Sequence, residues 1–214
     1  LDPQGSSTWV LGHDPRELER SVVDVIGKAP AEQVILPSDW GDNVWLLPSS
    51  PDLLSKDHGG HPNRLRKALR EVVDQYDVIL IDCPPSLGAL TTAGLTAADH
   101  AIIVVEPSEL SLRGVTAVAD LVDQVWDEHN PELDLAGVIV NRVPPVSSEA
   151  DRRYDELTRA VGKKAVWQPV IPQRVIVNQA LGERTPIHGY GARSADVSEV
   201  FDKLWARLRR TINE

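Results

Sequence analysis

Three short runs, residues 78–81, 101–105 and 135–140, are apolar at nearly every position and alternate with segments of helical period. A strand of that kind is buried on both faces. When helices separate such strands, the fold they predict is a parallel sheet covered on both sides. The helical segments are residues 63–75, with Leu65, Leu69, Val72 and Val73 on one face; 90–98; 112–126, with Val115, Val118, Leu121, Val122 and Val125; 148–161; and 195–210, with Val197, Val200, Phe201, Leu204 and Leu208. Another apolar stretch, residues 166–171, follows the fourth of these. Ahead of them, Asp14-Pro15-Arg16-Glu17 carries the signals of a helix start, continued by Leu18, Val22, Val25 and Ile26. Residues 44–47 read as a short strand and residues 49–62 as a loop.

With 214 residues and 42% hydrophobic content, the expectation is one domain over residues 1–214. No apolar run is long enough to span a membrane, and residues 1–10 lack the basic and apolar regions of a signal peptide. The single cysteine, Cys83, excludes an internal disulfide framework and suits a reducing cytoplasm. A net charge of −10 argues against a protein that coats nucleic acid over its whole surface and leaves local basic patches open. The sequence has no Met, so Leu1 is not expected to be the natural start.

Parallel sheets place their chemistry at the carboxyl ends of the strands. There, residues 78–81 are followed by Asp82-Cys83-Pro84-Pro85-Ser86-Leu87-Gly88. A carboxylate at such an edge suits Mg²⁺, a hard cation that takes oxygen ligands and keeps several waters; a helix cap or loop acid is the plainer alternative. Cys83 reads as a small buried residue, and Ser86 has no nearby His to make it a nucleophile. The chain opens Leu1-Asp2-Pro3-Gln4-Gly5-Ser6, which alone is only a turn with an acid before Pro.

Together these two segments resemble the ParA family of deviant Walker ATPases, whose switch regions read strand–Asp-Pro-Gln-Gly and strand–Asp-x-Pro-Pro-Ser-Leu-Gly. The resemblance runs from Leu1 to about Leu208, through Leu46-Leu47-Pro48-Ser49, Val138-Ile139-Val140-Asn141-Arg142, Ile171-Pro172, Ala180 and Thr185-Pro186-Ile187. It implies a P-loop NTPase-like α/β fold with ATP and Mg²⁺ as cofactors. Asp82 would be the Walker B acid, holding Mg²⁺ through water, and Asp2 would help place the attacking water. Residues 84–88 would form the second switch. Nucleotide contacts would fall at Gln4, Pro84, Asn141, Arg142, Pro172 and Gln173, with Asn141 facing the adenine and the Pro172 loop closing over it; an Asn after a strand is otherwise an ordinary turn residue.

The family's Gly-Lys-Thr-Thr phosphate loop has no counterpart in the 214 residues. By the same resemblance, the family's first strand, central to its sheet, is expected to be missing with it. The expectation is that about forty residues of the family's plan precede Leu1. By resemblance the protein would be a cytoplasmic, nucleoid-associated partition ATPase. It would dimerise with ATP, bind DNA without sequence preference, be stimulated by a ParB-like partner and stay off membranes. The chain by itself would be inactive. Alternatives are a non-catalytic regulator of an intact paralogue and a MinD-like positioning ATPase. A DNA patch would comprise Arg174, Arg193, Lys203, Arg207 and Arg210, the last three spaced as one stripe of a helix. Cations that merely suit a helix C-terminus are the plainer reading of that stripe.

Overall fold

The computed structural model describes residues 1–55, 62–109 and 111–213, and the Gly59-Gly60 pair in the expected loop lies outside them. The chain forms two compact units: residues 1–99 with 124–133, and residues 100–123 with 134–214.

In the first unit, helix α1 (Ser6–Val10) follows the opening turn, and α2 (Val22–Ile26) comes next. The helix expected from Asp14 does not form there. Asp14 accepts the Arg16 N–H at 2.9 Å and closes a turn. The helix instead starts after Ser21, whose hydroxyl accepts the Val23 N–H while Asp24 accepts the Ser21 N–H at 2.8 Å. That reciprocal capping box satisfies two of the helix's end donors. Strands β1 (Leu36–Pro37) and β2 (Trp45–Leu46) pair antiparallel, Leu36 opposite Leu46. Within the expected loop lies α3 (Asp52–Ser55), and α4 (Asn63–Leu69) is shorter than its apolar period suggested, giving way to a 3₁₀ turn at Val73–Gln75. Helix α5 (Ala89–Ala97) closes the series.

Residues 78–81, expected as a strand, have no ladder partner among the described residues, and Leu80 is 72% exposed. A strand exists only through its neighbour's hydrogen bonds. Apolar content sets which segments seek such a neighbour, and cannot supply one.

The second unit contains β3 (His100–Val105), α6 (Ser111–Glu128, through Asp123), β4 (Asp134–Val140), α7 (Ser148–Val161), α8 (Val175–Gly182) and α9 (Ala195–Thr211). Strands β3 and β4 pair in parallel, and Val105 lies opposite Val140. One side of the pair carries a core of Ile103, Val115, Val138, Val140, Leu157 and Val166; a separate cluster joins Trp167, Ile171 and Leu204. The backbone of residues 166–171 meets β4 at the isolated Val138–Val166 bridge and at single bonds such as Ile171 N–H to Val140 O, 2.9 Å. Pro169 carries no N–H, which interrupts a continuous ladder between the Trp167 and Ile171 bonds. Helix α8 was not legible as a helix because Val175, Ile176 and Val177 look like strand residues; buried Ile176 and Ala180, four apart, were the available sign. No helix among the described residues is long and apolar enough to cross a membrane.

Helix α5 approaches the 78–83 segment closely. A Cβ at Gly94 would lie 2.6 Å from the Cys83 Sγ and 3.2 Å from a Leu1 methyl. Substituting Gly94→Ala is therefore expected to destabilise the fold by about 1–3 kcal/mol through overpacking. Cys83→Ala combined with it should restore much of that loss, as read by urea unfolding. Additive losses in the double variant would show that the contact does not limit packing.

Candidate functional site

The acid that ends the 78–81 run and the turn that opens the chain meet in the first unit. The Leu1 nitrogen donates to the Asp82 carbonyl at 2.7 Å, and the Ser7 hydroxyl donates to the Asp82 carboxylate. Segments 81 residues apart in sequence are thus joined by main chain and side chain. Asp82 itself stays exposed.

Asp2 sits in a tight turn. Its carbonyl accepts the Gly5 N–H at 3.0 Å, and its carboxylate accepts the Gln4 N–H at 3.0 Å. Gly5 has φ of 65°, and a Cβ there would lie 2.5 Å from the Pro15 ring, so both backbone and space demand glycine. The turn is held from behind by Ser49, whose hydroxyl donates to the Asp2 carbonyl at 2.7 Å and whose N–H donates to the Thr8 hydroxyl at 2.9 Å. Ser49, Ser50 and Thr8 are buried, so each of these bonds satisfies a group that water cannot reach. Gln4 contributes through its backbone, and its exposed side chain leaves the turn.

Pro84 lies just beyond Asp82. Buried Thr91, on α5, donates to the Ser86 carbonyl at 2.6 Å and reaches the Pro84 carbonyl at 3.4 Å. The loop after the acid is thereby fastened to the helix it enters. Burial pushes the Cys83 thiol pKa up, as does the nearby Asp82 charge, so the thiol stays protonated and packs as a small apolar group.

Magnesium asks for oxygen donors and few protein ligands, since phosphates and waters complete its shell. The Asp82 carboxylate and the Ser7 hydroxyl are oxygen donors at an exposed position, and they fit that need. Among the described residues no three His, Cys, Asp or Glu side chains gather into a metal cage, and magnesium does not require one.

In the second unit, Asn141 and Arg142 follow β4. The Asn141 N–H donates to the Val105 carbonyl at 2.7 Å, and its side-chain oxygen accepts the Arg142 N–H at 2.9 Å. Arg142 has φ of 53° and pairs with Glu106 at 2.9 Å. Val143 accepts from Gln173 and donates to Ile171, so the Pro172-Gln173 loop is laced to the residues after Asn141. Asn141, Arg142, Pro172 and Gln173 therefore lie together beyond the carboxyl end of β4.

The five cations expected to face DNA differ in their company. Arg174 pairs with Asp196 at 2.9 Å and Lys203 with Glu199 at 2.7 Å. The hydrogen bond from Arg174 holds the Asp196 carboxyl below its usual range. Arg207 lies 4.8 Å over the Trp167 ring and donates to the Lys164 carbonyl at 3.0 Å; burial, then the Arg210 charge, push its pKa down. Arg193 lies 5.9 Å over Tyr190 and reaches Gln179 at 3.4 Å. Among the described residues, Arg193, Arg207 and Arg210 have no carboxylate partner.

Sequence reasoning missed Ser7, Ser49, Thr91 and Gly94. Of these only Ser49 lay in a segment singled out by the resemblance, and nothing in its spacing to Asp2 shows the contact. Ser7 lies one turn beyond the Asp2 turn, where a hydroxyl looks like an ordinary helix-start residue.

The chain matches the family model described as AAA domain over residues 1–135. An uncharacterised protein of Mycobacterium tuberculosis is 38% identical over 202 residues, covering 91% of this chain and 63% of that protein. The chain thus spans less than two thirds of that relative's length. Chromosome-partitioning ATPase Soj of Thermus thermophilus is 34% identical over 182 residues, 84% of this chain and 70% of Soj. Among solved structures, cobyrinic acid a,c-diamide synthase of Mycobacterium smegmatis, with bound ADP and magnesium, matches with a TM-score of 0.74 and 32% identity over 86% of this chain and 76% of that one. The fold is the α/β fold of P-loop NTPases. On the family match and the kinship with Soj, the chain belongs to the ParA/MinD superfamily of partition ATPases.

Proposed function

We propose that the chain carries the two switch segments of a partition or positioning ATPase, and that Asp82 and the Asp2 turn serve one magnesium-nucleotide centre. The observation that carries this reading is the junction of the two segments: Leu1 nitrogen on the Asp82 carbonyl and Ser7 hydroxyl on the Asp82 carboxylate. The kinship with Soj and the bound ADP and magnesium of the Mycobacterium smegmatis relative support it.

Phosphoryl transfer of this class is catalysed by positioning and electrostatics more than by covalent chemistry. Magnesium, when bound, supplies charge neutralisation at the phosphates. Asp82 would hold it through water, with Ser7 fixing the carboxylate's orientation. The Asp2 carboxylate, pinned on one oxygen by the Gln4 N–H, would orient the attacking water with the other. Residues 84–88, fastened at Thr91, would move when the terminal phosphate leaves. Asn141 and the Pro172-Gln173 loop would contact the base. ATP-bound subunits would pair and bind DNA without sequence preference, and a ParB-like partner would stimulate their hydrolysis.

The 214 residues contain no Gly-Lys-Thr phosphate loop, so isothermal titration of this chain with ATP and Mg²⁺ is expected to give no micromolar binding. Joined behind a segment that carries such a loop, the chain should become a slow ATPase. Asp82→Ala should abolish its magnesium-dependent turnover, and Asp2→Ala should slow hydrolysis while sparing nucleotide binding. Equal loss of binding in both variants would contradict the two roles.

DNA binding should be weak and salt-sensitive, as phosphate contacts are. Since Arg193 and Arg207 have no carboxylate partner among the described residues, Arg193→Ala/Arg207→Ala is the informative double variant. Fluorescence anisotropy with duplex DNA at two salt concentrations should show weaker binding and a shallower salt slope. An unchanged titration would remove these cations from the mechanism.

A further inference from the structure

Toward the amino end of β4, away from the end where Asn141 lies, the second unit carries a cleft of about 730 Å³ lined by Tyr154, Lys163, Lys164, Val166, Gln168 and Arg207. All six residues belong to that unit. Local structure brings them together. Helix α7 gives way at Gly162 to a turn that the Ala165 N–H closes on the Gly162 carbonyl at 3.1 Å. Lys163 and Lys164 sit at its tip, both exposed. Val166, buried and bridged to Val138, forms the floor. Helix α9 supplies the far wall: Arg207 lies 4.8 Å over the Trp167 ring and donates to the Lys164 carbonyl at 3.0 Å.

Three cations thus meet, and among the described residues none of them has a carboxylate partner. Arg210 acts on Arg207 as a further positive charge. Lysines just past a helix end are ordinary, because the helix dipole favours them there. Their convergence with an arginine from another helix is not: like charges repel, and a bound anion would relieve the repulsion. The hydrogen-bonding groups are as one-sided as the charges. Arg207 uses one arm on the Lys164 carbonyl and keeps N–H groups with no protein acceptor among the described residues. The Tyr154 oxygen accepts from the Gln168 amide at 2.6 Å, so its own O–H is left to donate. Two ammonium groups, a guanidinium and a hydroxyl therefore offer donors to one space. A carboxylate would answer them with two oxygens and a single charge. A phosphomonoester answers with three oxygens and a charge of about −1.5 to −2 near neutral pH, the better match. The volume is that of a small-molecule site.

We propose that this cleft binds the terminal phosphate of a small phosphorylated molecule, with Lys163, Lys164 and Arg207 on the phosphate oxygens and the Tyr154 hydroxyl donating to one of them. The site goes beyond the magnesium-nucleotide reading and does not depend on it.

Isothermal titration of the full chain with ribose 5-phosphate and with inorganic phosphate tests this. Magnesium-free buffer at about 0.15 M salt keeps the Asp82 centre silent and weak surface attraction screened. Saturable binding is expected. A tighter sugar phosphate assigns the site to an organic phosphate, and equal affinities assign it to the free anion. Lys163→Gln/Lys164→Gln should weaken binding about tenfold, and Tyr154→Phe, which keeps the ring, about fivefold. Arg209→Gln, which removes the same kind of charge from α9 where it lies over Trp205, should leave the affinity unchanged. A DNA duplex without terminal phosphates, whose phosphodiesters carry one charge each, should not displace the ligand. The proposal is overturned if neither phosphate binds, if the lysine pair and Tyr154→Phe leave binding unchanged, if Arg209→Gln weakens it as much as the lysine pair does, or if the duplex displaces the ligand, which would give these cations to DNA.

Discussion

Helix α5 can lie where it does only because position 94 has no side chain. The place of a Cβ there is already taken by the Cys83 sulfur and a Leu1 methyl. That close approach sets the depth of the segment that ends in Asp82, and Leu1 packs on the same side against the cluster of Val22, Val23, Ile26, Leu53 and Leu65. With Leu1 seated, its nitrogen reaches the Asp82 carbonyl, and the turn from Asp2 to Gly5 follows within a few residues. A second constraint comes from the other side of the turn. Ser49 is buried and must satisfy its polar groups, and it does so on Asp2 and Thr8. The two acids are therefore placed by a glycine and a serine that touch no ligand themselves.

The elements that could be read from sequence are those whose burial is local to their own pattern. β3 and β4 are apolar along almost their whole length, α7 was bounded to the residue, and α5, α6 and α9 shifted by only a residue or two at either end. Residues 78–81 carry the same apolar signal and form no ladder among the described residues, because pairing is a property of two segments and the signal belongs to one. The helix start at Asp14 failed for a comparable reason. Two capping sequences lay seven residues apart, and the one at Ser21 also gains the Val22 N–H bond to Pro48 at 2.8 Å. In the candidate site, Asp2 and Asp82 were legible through a motif, whereas Ser7 and Thr91 act through contacts that only folding creates. Their residue types are common at helix starts and inside helices, so no spacing rule marks them.

Charge is distributed to match this division of labour. The acidic excess lies in the unit that holds Asp2 and Asp82, where a divalent cation is electrostatically welcome. In the second unit the cations are partly spoken for: Arg174 and Lys203 face carboxylates, while Arg207 is stacked on a nearly fully buried tryptophan. Exposed ion pairs of this kind contribute little to stability, but they lower the field that a phosphate would feel. A helix stripe counted from sequence spacing thus overstates the free positive charge that α9 offers.

The claim on which the account rests is that the Asp2 turn and Asp82 form a single metal-nucleotide centre. Its most direct measurement is crystallographic: the chain joined behind a phosphate-loop segment, crystallised with Mn²⁺ and a non-hydrolysable ATP analogue, with the metal located by anomalous scattering. A manganese peak is expected beside the Asp82 carboxylate, linked to it through water, with the Asp2 turn on the same side of the terminal phosphate. A peak remote from Asp82, or a nucleotide bound with the Asp2 turn facing away from it, would contradict the account.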